Sequence, residues 1–238
     1  MNNSITLQPV RIGPIFNMTW RILSRNIGLT LIVLVAYIPF IAIDAFSDLF
    51  SSQYILWSAI LSGSIAYAAL SGMLVHGVLR IMDEEKPDLR DSVARGLAWM
   101  GPAVLVSLLS TVIVLLGLVP LIIPGLILSC ALAVSLEACV AEGLDPVDSL
   151  KRSAELTKGN RMQIFGFSLA LIFISGFLSA AAELIAGLFT DNQILTIILG
   201  YILSMPVHAY ATIAYIVLYR FLVNSGAAGG ERLSRIFN

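Results

Sequence analysis

The sequence predicts an all-α fold: a six-span transmembrane helical bundle with three interfacial amphipathic helices. Composition is the first observation. The chain of 238 residues is 58% hydrophobic and 12% charged, with a mean hydropathy of +0.91; that charged share is about half that of an ordinary soluble domain. The second is the placement of the bases. All fourteen Lys and Arg fall into four clusters: Arg11 to Arg25, Arg80 to Arg95, Lys151 to Arg161 and Arg220 to Arg235. The third is what lies between them: three apolar blocks without Lys or Arg, each long enough for two crossings of about 20 residues. Connections inside the blocks are short and non-basic, whereas those between blocks are basic. The bias of Lys and Arg toward the cytoplasm then places both termini there.

The first span is expected at roughly Ile27 to Ala45, with the run LTLIVLVAYIPFIAI and a kink at Pro39. A polar stretch with acids but no base, Asp44 to Gln53, leads to a second span at Tyr54 to Met82. Its small residues Gly63, Ala66, Ser71 and Gly72 allow close helix contact. The third span is expected at Gly101 to Val119 and the fourth at Leu126 to Val140, with Pro120, Pro124 and Gly125 in a tight apolar turn between them. The fifth runs Met162 to Leu184 and the sixth Ile194 to Phe221, separated by Glu183, Asp191 and Asn192. No cleavable signal peptide is expected, because the first apolar run begins only near Ile27 and no small-residue cleavage site follows it.

The stretches before spans one, three and five are alike: PVRIGPIFNMTWRILSRN, PDLRDSVARGLAWMG and DPVDSLKRSAELTKGN. Each begins near a Pro, which suits the first helical turn because its missing N–H would have no helical partner. Each then spaces apolar residues by three and four. The expected stripes are Ile12, Ile15, Thr19 and Ile22 with Phe16 and Trp20 beside them; Leu89, Val93, Leu97 and Met100 with Trp99; and Val147, Leu150, Ala154 and Leu156. Such helices lie along the cytoplasmic interface with their aromatic rings at headgroup depth. The chain therefore reads as a single integral membrane domain, 1–238, with repeats at about 9–82, 86–142 and 146–222 and a cytoplasmic tail at 224–238. Each unit is one amphipathic helix plus one transmembrane hairpin.

The run PGLILSCALAVSLEACVAEGLDPVDSLKRSAELTKGN carries a resemblance. Pro124 and Gly125 open the fourth span, Glu137 lies near its end, and Glu142 and Pro146 lead to Ser149, Leu150, Ser153, Leu156, Thr157, Gly159 and Asn160. In these residues, and in the entry from Phe16 and Trp20 to Asn26, the chain resembles the membrane domain associated with bacterial glycerophosphoryl diester phosphodiesterases and the related YciC-type inner-membrane proteins. The resemblance implies a six-span helical domain in a bacterial inner membrane. In the fused enzymes hydrolysis belongs to a separate soluble barrel; the spans leave no room for it here, so the activity does not transfer.

Six side chains are candidates for polar anchoring or ligand contact. Glu137 is an acid near the end of a span, costly there unless paired, and Lys151, Arg152 and Arg161 are its expected partners. His76 and Arg80, four apart on one helix face, are placed to hold an anionic lipid phosphate or to meet the acids Asp83, Glu84 and Glu85. His208 follows Pro206, whose freed backbone carbonyl the imidazole or Ser204 is expected to satisfy. Cys130 and Cys139, nine apart in one apolar segment, read as small helix residues rather than ligands. No HExxH pair, paired aspartates or Ser–Lys arrangement lies in the spans, so no catalytic residue, metal or cofactor is expected.

The partners expected are membrane lipids, anionic ones among them, and a membrane-protein partner or a second copy; the small-residue faces at Gly63, Ser71 and Gly72 and at Gly176, Ser179, Ala180 and Ala181 suit close packing either within the bundle or between copies. A net charge of −1 offers nucleic acid no basic surface. The function expected is non-enzymatic organisation of lipids or proteins at the cytoplasmic face, with transport of a small molecule or lipid as the alternative.

Overall fold

The computed structural model describes residues 12–26, 28, 52–85, 88–119, 122–190 and 192–237. The first expected span, Ile27 to Ala45, lies outside them apart from Gly28. The described residues form nine helices and no strand: α1 (Ile12–Arg25), α2 (Ser52–Met82), α3 (Leu89–Ala98), α4 (Met100–Leu118), α5 (Ile122–Ala131), α6 (Ser135–Glu142), α7 (Pro146–Leu156), α8 (Arg161–Phe189) and α9 (Gln193–Phe237). Among the described residues, four stretches are long and apolar enough to cross a membrane: α4, the α5–α6 unit Ile122–Glu142, α8, and Ile198–Ser225 of α9. Within α2, Ala68–Met82 is a shorter apolar helix. The last helix continues to Phe237, so the segment expected as a cytoplasmic tail is helical.

Exposure places these helices in an apolar medium. Leu116 on α4, Val119 just after it, and Phe173, Phe177, Leu184 and Leu188 on α8 are among many large apolar side chains turned outward. In water such faces would be costly at about 25 cal/mol for each Å² left uncovered; lipid removes that cost. The protein is accordingly a membrane protein.

The core forms where α2, α6, α8 and α9 meet. Leu70, Leu74, Ile164, Phe167, Ile213, Ile216 and Leu222 are fully buried there. α1 covers this core with Ile15, Thr19 and Ile22 buried and Trp20 exposed. Phe16 stacks on Tyr210 at 6.3 Å and tilts against Phe167 at 5.5 Å, while Phe167 meets Tyr215 edge-on at 5.6 Å. Contacts of this kind add roughly 0.5–1.5 kcal/mol each beyond burial. The Tyr210 hydroxyl also donates to the Phe16 carbonyl at 3.3 Å, fixing α1 on α9.

Two helix contacts depend on glycine. A Cβ on Gly96 would stand 2.6 Å from the Met73 Cα, so α3 can lie against α2 only without a side chain there. In the α4–α5 hairpin, a Cβ on Gly117 would come within 2.6 Å of Leu128 Cδ1 and 3.2 Å of the Gly125 Cα. Pro124 and Gly125 sit inside the first turns of α5 rather than in the turn before it, because proline is tolerated where its missing N–H is not needed.

The expected stripes of α3 and α7 are divided: Val93, Leu150 and Leu156 pack against the core, while Leu97 and Val147 face outward, and each helix also buries a face of small or hydroxyl residues. On α3 the buried residues are Ser92 and Gly96, while Leu97 is 53% exposed. The Gly96 contact with Met73 turns that face toward α2. On α7 the buried residues are Ser149 and Ser153, continued by Thr157 and Asn160, whereas Val147 is 57% exposed. A hydroxyl face is buried here because it serves the main chain of the preceding helix.

Candidate functional site

The fourth span, expected as one helix from Leu126 to Val140, is interrupted. α5 stops at Ala131 and α6 starts at Ser135, with Val134 at φ −122° and ψ 21° between them. Such a break strands main-chain groups that lipid cannot satisfy, each costing several kcal/mol if left bare. Side-chain hydroxyls close the gap. Ser153 Oγ donates to the Ala131 carbonyl at 2.8 Å and accepts from the Val134 N–H at 3.2 Å. Thr157 Oγ1 approaches the same Ala131 carbonyl at 3.3 Å. Ser135 Oγ donates to the Leu132 carbonyl at 2.9 Å and stands 3.1 Å from Ser110 Oγ on α4. α7 is thereby bound to the broken span through its polar face.

Glu137 occupies the first turn of α6, directly after the break, and is fully buried. It lies within electrostatic reach of the Tyr215 hydroxyl on α9, which donates to Ser168 Oγ at 3.1 Å. The expected partner Arg152 engages a different acid: its Nε lies 3.0 Å from both carboxylate oxygens of Glu142. Tyr219 on α9 donates to Glu142 Oε1 at 2.8 Å, so one carboxylate ties α6, α7 and α9 together. The chain reverses at Gly143, which ends α6 at φ 65°, a left-handed conformation that costs glycine little. That reversal brings Glu142 beside a residue ten positions later. Lys151 pairs with Asp148 at 2.9 Å, a bond that raises the pKa of its ammonium. Arg161 is exposed at the start of α8.

His76 and Arg80 open onto a cleft of about 150 Å³ that Leu79, Asp83, Asp91 and Arg95 also line. The side chains come from the end of α2, the turn after it, and α3. Arg95 Nε lies 3.1 Å from both oxygens of Asp91. Arg80 stands 3.6 Å from Asp91 and 3.6 Å from Glu85, in Coulomb contact but beyond hydrogen-bonding distance. Arg220 of α9 hydrogen-bonds Asp83 Oδ1. Of the acids expected near Arg80, Asp83 lines the same cleft and Glu85 stands 3.6 Å away, and two bases that the sequence reading did not single out, Arg95 and Arg220, complete the group. The adjacent Tyr219 and Arg220 on α9 were the available signal, since each residue reaches a different acid.

His208 is half-buried on α9, and its main-chain carbonyl accepts from Thr212 Oγ1 at 3.0 Å. Ser204 Oγ donates to the Tyr201 carbonyl at 3.1 Å, beside the one freed by Pro206. Cys130 and Cys139 are buried free thiols. Among the described residues, no three His, Cys, Asp or Glu side chains stand together as metal ligands would.

Residues 90–224 match the model of a family described as a domain of unknown function, DUF7847. No curated protein matches the chain. No solved structure matches it either.

Proposed function

Because the chain belongs to this family of unknown function, whose model spans more than half of its length, we propose its role from its own geometry: it is a non-enzymatic membrane protein that organises lipids, anionic ones among them, or protein partners at the cytoplasmic face. The observation that carries this reading is the segregation of charge. The six ion pairs of the described residues gather in α3, α7, the ends of α2 and α6, the turn after α2, and at Arg220 of α9. The long faces of α4 and α8 present Leu116, Ile172, Phe173 and Phe177 instead. Exposed Trp20, Arg21 and Arg25 on α1, and Val147, Lys151 and Lys158 at α7, supply apolar insertion beside positive charge. Each basic residue close to an anionic surface contributes about 1 kcal/mol.

The finer architecture is part of this proposal. Two units run amphipathic helix, span, span: α3 with α4 and α5–α6, and α7 with α8 and α9. α1 followed by α2 fits a third, with its first span at Ile27 to Ala45. That order supports six spans in a threefold repeat. The base-rich ends of the units support cytoplasmic termini in a bacterial inner membrane, the setting that the resemblance to the phosphodiesterase-associated and YciC-type domains implies. A membrane partner or a second copy has room at Gly176, where added side-chain atoms would meet nothing within 4 Å.

Lipid retention tests the reading. Protein exchanged into nanodiscs of mixed neutral and anionic phospholipid, then ejected into native mass spectrometry, is expected to keep anionic lipids above their bulk share. Loss of all lipid at the energy that strips the nanodisc would reject the role. A second reading, transport of a small molecule or lipid, is favoured by one observation: a broken span with the buried Glu137 beside the break, the arrangement carriers use for their sites. Solute flux into proteoliposomes that Glu137→Gln abolishes, without lipid retention, would establish it instead.

A further inference from the structure

We infer that the cleft between α2 and α3 is a headgroup site for a phosphate joined to a primary ammonium, the chemistry of an ethanolamine phospholipid. The inference rests on the lipid-organising reading and gives it a ligand class. The cleft is small, about 150 Å³, and its charged lining carries both signs: His76, Arg80 and Arg95 against Asp83 and Asp91. A simple anion would face two carboxylates here, and a simple cation two guanidinium groups. A zwitterion satisfies both.

The hydrogen-bond inventory assigns the two ends. Arg95 commits its Nε–H to Asp91, which leaves the N–H groups of its terminal nitrogens for another acceptor. Arg80 reaches Asp91 and Glu85 only at 3.6 Å, so its donors face carboxylates they do not hydrogen-bond. With the His76 imidazole on the same helix face, these groups make a cradle for phosphate oxygens, where guanidinium forks bind best. Asp83 accepts from Arg220 through Oδ1, which leaves Oδ2 as the oxygen for a second donor. A primary ammonium brings three N–H donors to such an oxygen. A trimethylammonium brings none and is held instead by aromatic faces; no Phe, Tyr or Trp is among the described residues lining the cleft. Leu79 gives the headgroup's carbon linker its apolar wall.

The experiment uses the full chain in nanodiscs of equal ethanolamine, choline and glycerol phospholipid, with retained lipids counted by native mass spectrometry. The expected result is enrichment of ethanolamine over choline lipid by about tenfold, the ratio one charge-assisted hydrogen bond supports. His76→Gln and Arg95→Gln should remove the enrichment, and Arg95→Lys should restore part of it. Gly187→Ala, whose added Cβ meets nothing within 4 Å and which does not line the cleft, should leave it unchanged. If Arg95→Gln fails to fold, His76→Gln gives the same reading.

Soluble phosphoethanolamine and inorganic phosphate are added in separate arms. Displacement by phosphoethanolamine at equal concentration makes the soluble compound the ligand, with the same chemistry. Displacement by inorganic phosphate as effective as that by phosphoethanolamine overturns the assignment of Asp83. Lipid retained in bulk proportion overturns the headgroup site and leaves the organising role standing. Retention of no lipid at all overturns both.

Discussion

Ser153 hydrogen-bonds the carbonyl of Ala131, twenty-two residues earlier, at 2.8 Å, and both are buried. Ser153 Oγ also accepts from the Val134 N–H. One hydroxyl therefore repairs both sides of a helix break. Replacing it leaves a main-chain donor and an acceptor without water. Ser153→Ala should cost about 1–3 kcal/mol, with Thr157 Oγ1 at 3.3 Å offsetting part of the loss at the carbonyl. Thermal unfolding in detergent measures it, and hydrogen exchange at Val134 should rise in the variant. Unchanged exchange there would mean that the hydroxyl is not what protects the break.

Glu142 is predicted to be the acid that secures α7. Its partners differ in exposure: the Arg152 pair is partly open to solvent at 36% and 28%, which limits an isolated ion pair to about 0–1 kcal/mol. The Tyr219 hydroxyl adds a bond to the same carboxylate at 2.8 Å. Tyr219→Phe and Arg152→Ala should therefore each destabilise by about 1 kcal/mol, and less than additively when combined, since they share Glu142. A double-mutant cycle on detergent-solubilised protein reads the coupling. Strict additivity would show that the three residues do not act together.

Glycines separate tight from loose contacts. Gly96→Ala forces a Cβ against the Met73 backbone and should cost about 1–3 kcal/mol through overpacking. Gly72→Ala places its Cβ 3.5 Å from the Gly96 carbonyl, an ordinary contact, and Gly176→Ala meets nothing. Both should be neutral or should stabilise by up to about 1 kcal/mol through helix propensity. Melting temperatures of the three variants test the order; a Gly96→Ala protein as stable as the parent would contradict the α2–α3 packing.

Orientation is testable with two engineered thiols. Lys151→Cys lies in exposed α7 and Asn192→Cys in the exposed turn between α8 and α9. An impermeant maleimide should label the second in intact cells and the first only after permeabilisation. The natural thiols are buried, so background labelling should be low. The reverse pattern would invert the proposed topology.

The helical class, both ends of α4 and the start of α8 were legible because they depend on runs of apolar residues, whereas α8 runs on to Phe189, past the expected end at Leu184. The face of α1 was legible for the same reason: Ile15, Thr19 and Ile22 recur at helical spacing. The face of α7 was not, because apolar spacing assumes that burial follows hydrophobicity. Ser149, Ser153 and Thr157 recur every four residues and are buried by hydrogen bonds to main chain. That recurrence was the visible clue; what it served, the break at 132–134, shows no glycine or proline in SCALAVSLE to announce it. Glu137 drew attention as the acid inside a span, yet Glu142 holds Arg152, since the left-handed turn at Gly143 decides which acid the returning chain meets. The cleft was half legible: His76 and Arg80 share a helix face, but Arg95 and Arg220 reach the same end only through tertiary packing.

The sealed break also sets an order of assembly. Ala131 and Val134 are synthesised well before Ser153 and Thr157, so the nascent hairpin must wait with its gap open until the later segment emerges. A chain ended after Glu142 is predicted to leave the Val134 N–H open to hydrogen exchange, whereas one ended after Asn160 should protect it. Biogenesis is then coupled to a stretch that itself never crosses the bilayer.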